Sequence, residues 1–304
     1  MTLNTFWLRR FFPDQTKVNF IKPKLLCLVL AIALMLATFG GLFFHPLNFG
    51  IDFTGGLLFE LRLSKKMEIS NVRHTLNQLG LGEVNIQKIT DGKNDIMLRV
   101  AVKDEKKQKE YIELIKTTLL KKVDHQVDFR KIEYVGAEVG SETIKKAMLS
   151  IVLTFIGILA YIWYRFNIWY SIGVVIGLIH DLVLTVGFLS ITQYEFNAAS
   201  IAALLTVLGY SVNDTVVIYD RIRENVRKLR KISFEEILNL SVNETLSRTI
   251  FTVFTTLLAV GSLILFGGES LHSFSVTVFV GIVVGTYSSI FIAVPLLSFL
   301  RAKR

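Results

Sequence analysis

The chain has 304 residues, of which 52% are hydrophobic and only 19% charged, with a formal net charge of +9. A soluble domain usually carries about 25% charged residues, and here the apolar residues collect in long runs between basic segments. That pattern excludes a soluble globule and leaves an integral membrane protein. The single cysteine, Cys27, excludes an intrachain disulfide.

In chain order, residues 1–24 form a basic N-terminal segment with Arg9, Arg10, Lys17, Lys22 and Lys24. The apolar run 25–44 follows. It is too long for a signal h-region of about 7–15 residues and is read as an uncleaved anchor, transmembrane helix 1. A span needs about 20 apolar residues, and five further runs meet that need at 147–164, 169–191, 198–219, 249–266 and 274–299. The chain therefore divides into 1–24, helix 1 at 25–44, a long loop at 45–146, helices 2–6 within 147–299, and a short tail at 300–304.

The long loop opens on Asn48-Phe49-Gly50-Ile51-Asp52-Phe53-Thr54-Gly55-Gly56. This glycine-rich stretch lacks the lysine and following helix of a phosphate loop, so it reads as a tight turn with close backbone approach. Beyond it, 57–63, 84–89, 95–102 and 127–135 alternate like strands. Val72, Leu76 and Leu79, then Tyr111, Ile112, Ile115 and Leu119, fall at helical spacing. The order βαββαβ predicts an α+β ferredoxin-like domain outside the cytoplasm. His74 and His125 show no metal-ligand spacing, so the segment reads as an interaction domain with no metal, cofactor or catalytic cluster.

Charged groups within a span cost about 2.5–3.5 kcal/mol on insertion scales, so each is a functional candidate. Span 3 carries His180-Asp181, a proton relay or simply packing polarity. Span 4 carries Asp214, with Thr206, Tyr210 and Asn213 at spacings of four and three forming a polar stripe. At 1.5 Å per residue from Ala198, Asp214 lies about 24 Å along the span. Arg248 opens span 5 on the same side, within snorkelling reach of Asp214; the pair is either an ion-coupling device or a structural ion pair. Between spans 4 and 5, the amphipathic loop 220–247 is expected to hold two short basic helices along the membrane surface. The second is started by a Ser233-x-x-Glu236 capping box. Span 6 places Gly281 and Gly285 four apart, the spacing that lets helices approach closely, either within the chain or toward a partner.

Sixteen lysines and arginines fall on one side of these spans, and the short loops 192–197 and 267–273 have none. The positive-inside rule then puts both termini in the cytoplasm. The other 18 basic residues lie in 45–146, nearly balanced by 15 acids, so the charge is a topology signal and not a nucleic-acid footprint.

The segments 48–56 (NFGIDFTGG), 135–140 (VGAEVG), His180-Asp181, Glu195-Phe196-Asn197, 209–223 (GYSVNDTVVIYDRIR), 246–249 (LSRT) and 281–293 (GIVVGTYSSIFIA) resemble, in order, the SecD/SecF family of protein-export membrane proteins within the RND superfamily. The resemblance covers nearly the whole chain. It implies a non-enzymatic subunit paired with SecD, acting with the SecYEG channel on unfolded preproteins in the lipid of the inner membrane and driven by the proton motive force. It ties Asp214 and Arg248 to proton conduction. One position departs from the pattern: Ala137 stands where the family usually has proline. From the residues alone, an aspartate site serves H⁺ or Na⁺ equally, and half of an RND-type small-molecule or lipid exporter is the alternative reading.

Overall fold

The computed structural model describes residues 16–64, 69–81, 84–88, 94–102 and 107–301. The chain separates into two compact units, Phe49–Leu149 and the combination of Met1–Asn48 with Ser150–Arg304.

The smaller unit is built on four strands, β2 (Gly56–Arg62), β3 (Val84–Lys88), β4 (Asp95–Val100) and β5 (Asp128–Val135). The order across the sheet is β3-β4-β2-β5, and every neighbouring pair is antiparallel. Helix α3 (Ile69–Asn77) joins β2 to β3, and α4 (Gln108–Thr118) joins β4 to β5. Each crossover thus spans a strand contributed by the other half of the unit. The strands earn their places by β-branched and aromatic content: Phe59 on β2 lies opposite Leu98 on one side and Ile132 on the other. Leu57, Phe59, Leu61, Leu76, Leu98, Ile115 and Leu119 are fully buried and form the core between sheet and helices.

Arg62 and Asp95 face each other across β2 and β4, with Nε–Oδ1 at 2.6 Å and Nη2–Oδ2 at 2.8 Å. This two-pronged bond holds the Arg62 guanidinium above its usual value. Before the sheet, a short β1 (Asn48–Phe49) and the single-turn helix α2 (Ile51–Thr54) complete the glycine-rich stretch. Gly55 and Gly56 have φ of 68° and 115°, which side chains other than glycine rarely adopt. A Cβ at Gly56 would also lie 2.6 Å from the Val100 carbonyl oxygen. The tight-turn expectation for this stretch therefore has a concrete cause.

Among the described residues, six helices are long and apolar enough to cross a membrane: Lys24–Phe44, Glu138–Arg165, Ile168–Thr192, Ala198–Lys228, Phe234–Phe266 and Leu271–Leu300. They belong to α1 (Lys24–Phe44), α5 (Ala137–Arg165), α6 (Ile168–Thr192), α7 (Ala198–Lys228), α8 (Phe234–Phe266), and α9 (Glu269–Ser288) continued by a π-helical turn (Ser289–Ala293) into α10 (Val294–Arg301). A two-residue strand, β6 (Glu195–Phe196), separates α6 from α7. The third, fourth and sixth spans are 44–61% buried, whereas the first, second and fifth are only 6–11% buried. The bundle thus has an inner trio carrying the polar residues and an outer trio whose exposed leucines and phenylalanines suit lipid contact.

Helix ends follow local chemistry. Asn167 caps α6 by accepting from the Trp169 and Tyr170 amides, and Asn197 caps α7 in a reciprocal box with Ser200. Ser233 and Glu236 form the expected capping box at the start of α8.

The region between spans 4 and 5 differs from the sequence expectation of an amphipathic loop over 220–247 with two surface helices. Residues to Lys228 continue α7, and everything from Phe234 onward is already α8. No glycine or proline interrupts either segment, so helical hydrogen bonding runs on past the apolar stretch. Ile222 and Leu238 pack into the bundle's own core and Ile237 is buried, instead of facing a membrane surface.

Residues 16–24 are also held in place. Asn243 on α8 accepts from the Thr16 hydroxyl at 2.6 Å and the Val18 amide at 3.0 Å, and donates to the Val18 carbonyl at 2.8 Å. Asn239 accepts from the Phe20 amide at 2.7 Å. Lys24 pairs with Glu235 and donates to Ser298 on α10 at 2.9 Å.

Candidate functional site

The candidate site is a polar column through the middle of the inner trio. Asp181 on α6 is fully buried. Its Oδ2 accepts from the Ser211 hydroxyl of α7 at 2.6 Å, and its Oδ1 lies 3.2 Å from His180 Nδ1. Thr185 donates back to the Asp181 carbonyl at 2.7 Å. Below this pair, Thr215 and Ser289 join their hydroxyls at 2.8 Å, and Ser289 donates to the Gly285 carbonyl at 2.9 Å. Tyr219 then donates to the Ala293 carbonyl at 2.9 Å. The last two bonds bracket the π-helical turn, a local irregularity that leaves main-chain carbonyls available to side chains.

Close approach of α7 and α9 makes these contacts possible. A Cβ at Gly281 would collide with the Val207 side chain, and one at Gly285 would lie 3.1 Å from Ser211 Cβ. The small residues anticipated in span 6 therefore face the chain's own fourth span, not an outer surface. Gly173 similarly leaves room on α6 for the Tyr219 hydroxyl.

Asp214 is one turn beyond Ser211 and only 4% exposed. Its Oδ2 is buried with no hydrogen-bond partner among the described residues. His180 Nε2, Tyr210 Oη and Tyr287 Oη are unbonded in the same sense. Ser275 Oγ is another, and the His180 and Tyr287 rings lie 6.2 Å apart, so five unsatisfied polar atoms occur on these three spans among the described residues. In a low-dielectric interior such groups are costly and mark sites that do something besides hold the fold.

The expected grouping is only partly assembled. His180 and Asp181 meet each other, and Asp214 lies on the same inward side of α7 as Ser211 and Thr215. Thr206 and Asn213 are exposed, with Thr206 bonding back to the Ala202 carbonyl, and Tyr210 is half-buried. At about 100° per residue, Asn213 and Asp214 cannot share a face, so the supposed single stripe is two. Arg248 is exposed on α8 and forms no ion pair with Asp214 among the described residues; its charge acts on Asp214 only through space. Ser211, Thr215 and Tyr219 are absent from the sequence expectation, although they recur at a strict spacing of four.

Buried acids on facing spans, a glycine-turned lead into a small sheet, and six apolar helices among the described residues define a multi-pass membrane protein. The chain belongs to the SecD/SecF family of protein-export membrane proteins: the family model described as "Protein export membrane protein SecD/SecF, C-terminal" matches residues 115–303, and that of the "SecD/SecF GG Motif" matches residues 40–67. The second match encloses Gly55 and Gly56. The chain is 45% identical to the protein translocase subunit SecF of Rickettsia bellii (strain OSU 85-389), over 97% of both chains. It is 44% identical to that of Rickettsia akari (strain Hartford), over 97% of this chain and 96% of the relative. The crystal structure of SecDF, a translocon-associated membrane protein from Thermus thermophilus, superimposes with a TM-score of 0.86 at 32% identity over 96% of this chain. SecDF in its super-membrane-facing form gives 0.69 over 95%. This chain spans about two fifths of those longer proteins, 40% and 39% of their lengths. Protein export is thus the process the family serves, through translocase subunits.

Proposed function

We propose that the chain is the SecF-type partner of a SecD-like subunit in the cytoplasmic membrane, and that it converts ion flow into work on preproteins emerging from the SecYEG channel. Both termini face the cytoplasm, and the unit Phe49–Leu149 is a ferredoxin-like module on the outer side. Support for that module comes from its strand order and antiparallel pairing, which match a doubled, interleaved βαβ. Support for the orientation comes from the 16 basic residues gathered on one side. The SecD pairing draws on the likeness to SecDF.

One observation carries the coupling role: Asp214 is 4% exposed and keeps a carboxylate oxygen without a protein donor among the described residues. Asp181 differs, because Ser211 already donates to it. Asp214 is therefore the group free to take up and release a proton. In its ionised form it attracts Arg248 through space; once neutral that attraction is lost, and α7 and α8 shift against each other. The hydroxyl ladder along α7 and the π-turn transmits the shift to α9, because those bonds can break and re-form at modest cost.

The test is gradient-dependent export into inverted vesicles or proteoliposomes. Asp214→Asn fixes the neutral state and is expected to abolish stimulation by the gradient while abundance and SecD binding stay normal. Arg248→Met is expected to do the same. Full stimulation with Asp214→Asn would reduce the aspartate to a structural group.

A further inference from the structure

We propose that the end of the bundle where α5, α6 and α7 meet holds the phosphodiester headgroup of an anionic lipid. A cavity of about 230 Å³ opens there, lined by Phe166, Asn167, Tyr170, Arg223, Val226 and Arg227. Arg165 stands at its edge, tied in by Arg223, whose Nη1 donates to the Arg165 carbonyl at 3.0 Å. The guanidinium carbons of Arg165 and Arg223 lie 5.7 Å and 5.2 Å from the centre of the Phe166 ring. Three arginines therefore surround one small hollow. The acid that pairs with them is Asp220, at 3.2 Å from Arg165 and 3.3 Å from Arg223. Arg227 is exposed and has no hydrogen bond or ion pair among the described residues. With one acid against three cations, the hollow keeps an excess of two positive charges.

Like charges held this close need a counter-anion, and guanidinium forks suit phosphate oxygens in geometry. Two observations make that anion a lipid. First, the last turns of α5 beside Arg165 expose Tyr161 (52%), Trp163 (62%) and Tyr164 (93%). Such aromatics collect at the membrane–water boundary, which is the depth of lipid phosphates. Second, the outer face of α5 leading away from the hollow is apolar and exposed, through Leu159, Ile156, Leu153 and Val152. A headgroup on the arginines would thus have acyl chains lying along α5, the arrangement of basic pockets between spans that take anionic headgroups. The inference does not depend on Asp214 or on ion coupling.

The experiment is a thermal-stability titration of the purified full-length chain in detergent with dioleoylphosphatidylglycerol, dioleoylphosphatidylcholine or inorganic phosphate. The anionic lipid is expected to raise the unfolding temperature saturably, and the other two are not. Arg227→Gln should weaken the response about fivefold, and Arg223→Gln with Arg227→Gln about 25-fold, at about fivefold per charge removed near an anionic surface. Lys231→Gln, in the nearby loop, should change it less than about twofold, because it lies outside the cavity. Since Arg227 makes no bond of its own, Arg227→Gln alone decides the matter if the double variant fails to fold. Equal protection by phosphatidylcholine or by free phosphate, an undiminished response in Arg227→Gln, or an equal loss in Lys231→Gln would each overturn the site.

Discussion

Asp181 and Asp214 are buried on neighbouring helices, yet their surroundings assign them different work. Asp181 has a hydroxyl donor from α7 and a histidine of its own helix in contact, so the Ser211 bond ties α6 to α7. Ser211→Ala removes that donor and is expected to cost about 1–3 kcal/mol, the range for a buried acceptor left unmet. Asp214→Asn loses no protein hydrogen bond to Oδ2, and is expected to stay within about 0.5 kcal/mol of the parent. Thermal unfolding in detergent compares the two directly. A loss for Asp214→Asn as large as that for Ser211→Ala would mean that Asp214, too, is a structural group. At this scale the acids are visible in the sequence, but the side chains they meet are not. Intramembrane charge is visible in any hydropathy reading, whereas Ser211 and Thr215 are small, weakly polar and unremarkable until a facing helix gives them partners.

At the scale of elements, the glycines of α9 set the distance between the fourth and sixth spans. Gly285→Leu drives a branched side chain into Ser211 and is expected to destabilise by about 1–3 kcal/mol, the usual range for overpacking. Gly209, with nothing near its Cβ position, should accept alanine without loss. A Gly285→Leu protein with unchanged unfolding temperature would show that the helices can separate freely. Position 137 offers a second check. Ala137 is the first residue of α5, a place where the fixed φ of proline and its missing N–H are tolerated. Ala137→Pro is therefore expected to be neutral or to stabilise by up to about 1 kcal/mol, while proline at Ile144, inside the helix, should cost about 3 kcal/mol or more. The existence and order of these helices were legible because apolar runs of lipid thickness are hard to mistake. Their ends were not, since hydropathy reports where lipid stops and says little about where main-chain bonding stops. One capping box is the exception: Ser233-x-x-Glu236 is a local chemical signature, and it starts α8.

For the whole molecule, the pairing of Gly56 with Val135 has a practical use. These residues are partners in adjacent strands, so the ends of the intervening chain lie side by side. Replacing residues 57–134 by a short Gly-Ser linker should leave the membrane bundle inserted and folded. Under the proposed function it should abolish stimulation of export; full export by the shortened chain would make the sheet unit dispensable. The βαββαβ order was visible in the alternation of apolar residues; the Asp91-Gly92 turn read from the sequence lies outside the described residues. What periodicity does not carry is the sheet order, which arises from long-range pairing of β2 with β4 and β5.

The anchoring of residues 16–20 by Asn239 and Asn243 sets a timetable for biogenesis. The bonded partners are separated by 219 to 227 positions. At about 5–20 residues per second of synthesis, the leading segment waits roughly 10–45 s before its acceptors leave the ribosome. During that interval α1 can already be in the membrane while the segment ahead of it has nowhere to dock. Nascent chains arrested before residue 239 should therefore show residues 16–20 open to protease, and released full-length chains should show them protected. Closure of this segment becomes one of the last events of assembly, a seal that forms only when the fifth span has arrived.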